Sequence, residues 1–414
     1  MNKKQLTEFG RHQFLLLELA ADVDAAVSPM LIEAMQSIQA IVETLPAPGN
    51  LMREREWQRV RPFVERALAP YTDAFGDALV KTMIDAAPAM QQHALEMSER
   101  AGLPMVEVGS LPATTSSAIS SAKIGDQVLT DLLGVGRATS PLTIQNVNKV
   151  NKHVIRGILE DVPTPEIAKD IVQVINRAGS TYVNTRGFTV TRNIRSTAET
   201  IARTAIQDVN HQITQATWEA NQEAIDEAGF EYEWVAALDS RVCPTCAPLD
   251  GLVEKTEAKL ISRAGGSVPI HPNCRCDIVL RDPEDEDFND APRTGQQLYD
   301  EKQPGGYKTK IEGQSRNSDG KARKFYRKAE EVTSGTRYAD YIADSNDLTQ
   351  REFFGGGPKY VTRNGKQEFS SAESRATWFR SEVSKGKDPQ TVLAQMTSGK
   401  GGASRFLSPA NLPR

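Results

Sequence analysis

The sequence predicts an α+β chain that is mostly α. An N-terminal helical bundle or arm is followed by a domain in which a long helix leads into a small β-element with a Cys/His cluster. Three observations predict this. Apolar residues recur at spacings of three and four through much of the first 229 residues, the period of an amphipathic helix. After Gly229 the pattern changes to short runs rich in Tyr, Trp, Val and Ile, residues that favour strands. All four cysteines and one of the five histidines fall in two short stretches, "RVCPTCAPLDG" (Arg241–Gly251) and "VPIHPNCRCDIVL" (Val268–Leu280).

Composition narrows the class. A chain of 414 residues has room for two or three domains. With 25% charged residues and no run approaching 18 apolar residues, a membrane span is not expected. The start "MNKKQLTEFGRHQFLLLELAADVDAA" is basic and then apolar. Asp22 and Asp24 follow closely and no small-residue cleavage site appears, so it reads as a helix and not a signal peptide. Four cysteines are too few for a disulfide scaffold, and their clustering favours a metal or bracing role in a reducing compartment.

The helices follow in order. "SPMLIEAMQSIQAIVETLP" places Ser28 as an N-cap and Pro29 in the first turn, with Ile38, Ile41, Val42 and Leu45 as its stripe. "NLMREREWQRVRPFVERAL" and "YTDAFGDALVKTMIDAA" read as separate amphipathic helices broken near Pro62 and Pro70. "GSLPATTSSAISSAKIG" is small and polar, and reads as a loop or linker. "LTIQNVNKVNKHVIRGILEDV" sets Ile144, Val147, Val154 and Ile158 on one face. "TPEIAKDIVQVINRAG" offers Thr164 as cap, Pro165 at the first position and Gly179 as a stop. The clearest helix begins at Ser196, whose capping box would pair with Glu199. It runs with Ile201, Ala205, Val209 and Ile213 at intervals of four, and Gly229 ends it. "FEYEWVAAL" and "CDIVLRD" are the strand candidates, with Trp218 and Trp234 expected as core anchors.

These elements suggest a helical N-terminal region (1–140), a core domain (142–280), an acidic linker (281–295) and a basic, partly disordered C-terminal region (296–414), with the core continuing to about 370. Charge supports the division. From 291 to 414 there are 22 Lys+Arg against 14 Asp+Glu, a net of +8; the whole chain is −5, which leaves −13 for residues 1–290. Within the basic region "QPGGYKTKIEGQSRNSDGKARKFYRKAEEV" reads as mobile at its start, and "TRYADYIADSNDLTQREFF" and "SAESRATWFRSEVSKG" as helices. "GKGGASRFLSPANLPR" reads as a disordered tail. Lys308, Lys310, Lys321, Arg323, Lys324, Arg327 and Lys328 are the candidate DNA contacts, set against the plainer reading of a solvated basic face.

The cysteine cluster is the one constellation with chemistry. Cys243-x2-Cys246 is followed, 24 residues later, by His271-x2-Cys274-x-Cys276. Zinc takes four such ligands in a tetrahedron, and a closed set would be Cys243, Cys246 and two or three of His271, Cys274 and Cys276. Cys-x-Cys does not easily chelate with both thiols, so buried free thiols and a disulfide formed on maturation stay open beside structural zinc. Catalytic readings fit less well. Pro248 and Asp250–Gly251 oppose the helix that a thioredoxin-like Cys-x-x-Cys must open, and no His-x-Glu accompanies the cysteines as a zinc deaminase requires.

These residues resemble the phage Mu F-like head morphogenesis family, the minor head proteins of tailed phages. The matching positions are Asp239, Arg241, Cys243, Cys246, Leu249, Gly251, His271, Pro272, Cys274, Arg275 and Cys276, with "IART" (Ile201–Thr204) on the preceding helix. "YADYIADSNDLTQREFFGGGPKYVTRNGKQEF" is a weaker echo of the family's closing segment. Ala205, where the family often has an acid, and "FFGGGPK", where it usually has Leu-Gly before a basic residue, depart from the pattern. The resemblance implies a virion protein, not an enzyme, whose cysteines brace the fold. It implies head assembly or DNA packaging and ejection at the portal or head interior, beside portal, major capsid or scaffold protein, in particles assembled in the host cytoplasm.

Two other functions stand beside it. Residues 291–414 could form a C-terminal effector or toxin domain, although they hold no His and no Cys. The chain could also bind phage DNA inside the head through its basic region. Asp239 and Arg241 are expected to brace the cysteine turn as a local ion pair or hydrogen bond, set against a contact with the portal.

Overall fold

Two long helices, α1 (Lys3–Glu43) and α2 (Glu54–Arg100), pack along one another in the computed structural model and set the frame of the N-terminal half. The structure describes residues 3–398 except 45–51, 101, 104, 125–126, 135–139, 178–179, 184–188, 240–241, 243–245, 285–291, 300–301, 303, 305–306, 310–324, 334–335, 355–359, 362–366 and 369–371. After α2 come α3 (Leu111–Ser121), a hairpin of β1 (Lys123–Ile124) and β2 (Gln127–Val128), α4 (Leu129–Leu133), α5 (Pro141–Leu159) and α6 (Thr164–Val172). A second hairpin, β3 (Ser180–Val183) and β4 (Thr189–Arg192), leads into α7 (Ile194–Glu219) and α8 (Gln222–Glu227).

Three expected breaks, at Ser28–Pro29, Pro62 and Pro70, are absent. Pro29 lies inside α1, where the Ser28 hydroxyl is buried without a hydrogen-bond partner and caps nothing. Pro62, Pro70 and Pro88 lie inside α2. An internal proline costs a helix roughly 3 kcal/mol. Trp57, Val64, Leu68, Tyr71, Phe75, Leu79, Met83 and Met90 are all essentially buried along α2, and each contributes about 1.5–3 kcal/mol by leaving water. Packing therefore carries the helix through the prolines.

Three further expectations change. The stretch read as a loop is the helix α3, where Ala118 and Ile119 are buried and the hydroxyls of Thr115, Ser120 and Ser121 donate to carbonyls four residues back. Pro163, not Thr164, holds the cap position of α6. The capping box of α7 joins Asn193 and Ser196, while Glu199 faces Arg195 and Arg203 instead. That long helix is also interrupted before Gly229. The Asn221 side chain donates to the carbonyls of Thr217 and Val106 and accepts the Val106 amide, which ties the helix end to the segment after α2.

The β-element follows as expected. β5 (Glu231–Val235) is the central strand of an antiparallel sheet between β7 (Leu252–Glu254) and β8 (Asp277–Arg281), with Trp234 opposite Leu252 and Ile278. α9 (Glu257–Ala264) lies between β7 and β8 in the chain. β6 (Leu238–Asp239) continues from β5 into a second sheet, pairing in parallel with β9 (Pro292–Tyr299). β10 (Tyr307–Thr309) and β11 (Phe325–Thr333) complete that sheet in the order β10-β11-β9-β6. The last described elements are α10 (Tyr338–Asp344), α11 (Asp347–Phe354), the hairpin of β12 (Tyr360–Val361) and β13 (Gln367–Glu368), α12 (Ala372–Ser384) and α13 (Pro389–Ser398). The stretch expected as a mobile basic start falls largely at 310–324, and the expected tail at 399–414; both lie outside the described residues.

Among the described residues, two hydrophobic cores result. The first joins α1–α7 around residues such as Val23, Ile38, Trp57, Phe75, Val150 and Ile206. The second joins the cysteine element to the C-terminal helices, with Trp218, Trp234, Cys246, Cys276, Tyr338, Phe353, Phe354 and Phe379. α7 serves both, since Ile194 to Ile213 enter the first and Trp218 enters the second, edge-on to Tyr232 at 5.5 Å.

Candidate metal centre

The site is built from two turns held against α7. Cys246 precedes a single 3-10 turn (Ala247–Leu249) in which the Leu249 amide donates to its carbonyl at 3.0 Å. Asp250 then accepts the Ala236 amide, and Gly251, at φ 75°, donates its own amide to the Trp234 carbonyl at 2.8 Å. The left-handed conformation suits glycine because it has no Cβ. These bonds lay the first cysteine turn across the end of β5.

The second turn begins after a cis Val268–Pro269 bond. The Cys274 amide donates to the His271 carbonyl at 3.0 Å, and Asn273 sits at φ 58°. α7 grips this turn with three residues of one face, spaced by four and three. Thr204 accepts the Asn273 amide at 3.0 Å, Thr200 accepts its side-chain amide at 3.1 Å, and Gln207 donates to the Cys276 carbonyl at 3.2 Å.

The result brings Cys246, His271 and Cys274 together, with one ligand atom from each lying within 4.8 Å of the others. His271 Nε2 is 3.1 Å from Cys246 Sγ, and the Sγ atoms of Cys246 and Cys274 are 3.8 Å apart. Both of these cysteines are buried, and His271 is half-buried. Hydrogen bonds from Cys246, then from Cys276, hold the Cys274 thiol well below its ordinary range against the opposing effect of burial, with His271 adding to the same direction. Cys276 is buried beside Cys274 but stands outside the trio; Cys246, Cys274 and Cys276 are all free thiols. Cys243, Arg241 and the Asp239 side chain lie outside the described residues. Pro272 and Arg275 are half-buried in the second turn.

Behind the cysteines lies a buried acid–base group that sequence reasoning left without a role. His211 Nε2 is 3.3 Å from Glu257 Oε1, but the two are poorly aligned for a hydrogen bond. Burial drives both toward neutrality: His211 falls to about 4, and Glu257 rises to about 7 with help from Glu219 and Asp277. Asp277, fully buried, also rises to about 7. Asp250 and Gln207 were likewise given no role, and Thr204 entered only as the end of the IART match. Only the Asp-Gly pair announced a turn; the helix residues carry no local signal, because their partners lie some 70 residues away.

Of the candidate DNA contacts, Lys308, Arg327 and Lys328 fall among the described residues. Arg327 is 4% exposed and Lys328 half-buried in β11, which is flanked on both sides by β9 and β10. Arg327 is therefore buried, not on the solvated basic face expected of it. Lys308 lies in β10, and Lys310, Lys321, Arg323 and Lys324 lie outside the described residues. No described helix is long and apolar enough to cross a membrane.

No curated protein and no solved structure matches the chain. A family model does: that of the Phage Mu protein F like proteins, over residues 148–279. The matched span opens in α5, takes in the whole of α7, and closes in β8 just past the last cysteine, so it coincides with the helix and the two turns that build the site. Over residues 148–279, about a third of its length, this chain is similar to the phage Mu protein F-like family.

Proposed function

We propose that the chain is a minor head protein of a tailed bacteriophage. It acts structurally, in head assembly or in DNA packaging and ejection, at the portal or in the head interior, and it is not an enzyme. Its partners in this reading are the portal protein and the major capsid or scaffold protein. The family match over 148–279 carries the reading and supports a part in phage head morphogenesis. The cysteine turns are tied by hydrogen bonds to β5, α7 and α10, which holds that surface in shape.

Quantitative mass spectrometry of gradient-purified particles and of DNA-free heads, scored against the portal protein, tests this. A few copies per portal ring in both is the expected result. Absence from both would remove the virion reading.

A further inference from the structure

The arrangement around Cys246, His271 and Cys274 is that of a ligand set. Two thiolates bound at about 2.3 Å to a tetrahedral zinc lie about 3.8 Å apart, and the Sγ atoms of Cys246 and Cys274 are separated by 3.8 Å. His271 Nδ1 is 2.8 Å from the Pro272 carbonyl, to which it can donate its proton. That tautomer leaves Nε2 as a lone-pair donor, and Nε2 is the atom 3.1 Å from Cys246 Sγ. A backbone acceptor behind a ligating histidine is the usual way a metal site sets the ring's orientation. Thr204, through the Asn273 amide, and Gln207, through the Cys276 carbonyl, fix the second turn from α7.

The first turn is also a platform. Asp250 Oδ2 accepts the Tyr338 amide of α10 at 2.7 Å, and Gln390 of α13 donates to the carbonyls of Pro248 and of Asp250. Only three residues separate Cys246 from Asp250, so whatever holds the cysteine holds the platform.

We propose that Cys246, His271 and Cys274 bind one divalent cation of the zinc class, with the fourth position completed from outside the trio. The bound metal fixes the turn from Cys246 to Gly251 as the surface on which the C-terminal helices dock. The inference does not rest on the phage-head reading, because it is tested on the isolated chain.

The full chain is purified with a reducing agent and without chelator, and its metal content is measured by mass spectrometry. About one zinc per chain is expected, lost in Cys274→Ser. Cobalt exchanged into the wild-type chain should show the visible bands of tetrahedral, thiolate-bound cobalt, a readout that needs no variant to fold. Chelation should expose sites between 336 and 398 to limited proteolysis, and added zinc should protect them again. A folded chain that holds no zinc and gives no cobalt bands would overturn the metal site. Metal loss with an unchanged cleavage pattern would overturn its role in docking.

Discussion

Asp250 accepts the backbone amide of Tyr338 at 2.7 Å across 88 residues of chain, and its other oxygen accepts the Ala236 amide, also at 2.7 Å. One carboxylate, 1% exposed, thus ties the end of β5 to the start of α10. Asp250→Ala strips both buried amides of their acceptor. Hydrogen bonds to a charged group are worth about 1.5–3 kcal/mol each, so urea unfolding should show a loss of about 3 kcal/mol or more. Asp250→Asn keeps one acceptor and should lose less. Equal stability of all three proteins would show that the carboxylate is not a tie.

Gly251 should resist substitution for a separate reason. At φ 75° any side chain is strained, and a Cβ there would lie 3.3 Å from Arg337 Cγ. The backbone term alone is roughly 1 kcal/mol. Gly251→Ala is expected to lower stability by about 1–2 kcal/mol, and Gly229→Ala, where nothing lies within 4 Å, by less. Identical losses at the two sites would remove the Arg337 contact from the account.

His12 gives a pH dependence with a definite sign. Its ring stacks on His93 with centroids 3.6 Å apart, and Nε2 lies 2.7 Å from Asn210 Oδ1. Burial lowers it to about 4, against the Asn210 hydrogen bond that raises it. As pH falls below about 6.5 the unfolded chain takes up this proton and the folded chain does not, so stability is lost down to about pH 4. At pH 5 the loss is about 2 kcal/mol. His211 acts in the same direction, and Glu257 and Asp277, raised to about 7, act in the opposite one. The readout is therefore a difference. The stability of the wild type minus that of His12→Gln should fall by about 2 kcal/mol between pH 7 and pH 5. Parallel pH profiles would mean that His12 is solvated in the folded chain.

Asp24 of α1 and Arg195 of α7 form a bidentate pair, with Nη2 2.5 Å and Nε 3.0 Å from the carboxylate oxygens. Arg195 is 41% exposed and also meets Glu199, so screening and competition limit its worth. A double-mutant cycle with Asp24→Ala and Arg195→Ala should give a coupling of about 1 kcal/mol that shrinks in high salt. A coupling that does not change with salt would mean that the contact is packing and not charge.

What the sequence by itself determined was local. The periods of three and four in α5 and α7, the switch to strands at Phe230, and the pairing of two cysteine turns all follow from residue order within a few positions. The burial of Trp218 and Trp234 followed from their size. What only the tertiary structure decided depended on partners distant in sequence. α2 runs through three prolines because its apolar face is covered by α1, and α3 is a helix because Ala118 and Ile119 reach the same core. The cysteine turns acquire their geometry from Thr200, Thr204 and Gln207 on a helix some 70 residues earlier, and their load from Tyr338 and Gln390, about 90 and 140 residues later. Propensity and spacing act over a turn or two of chain; burial and hydrogen-bond partners are set by the fold as a whole, and where the two compete the buried area is the larger energy.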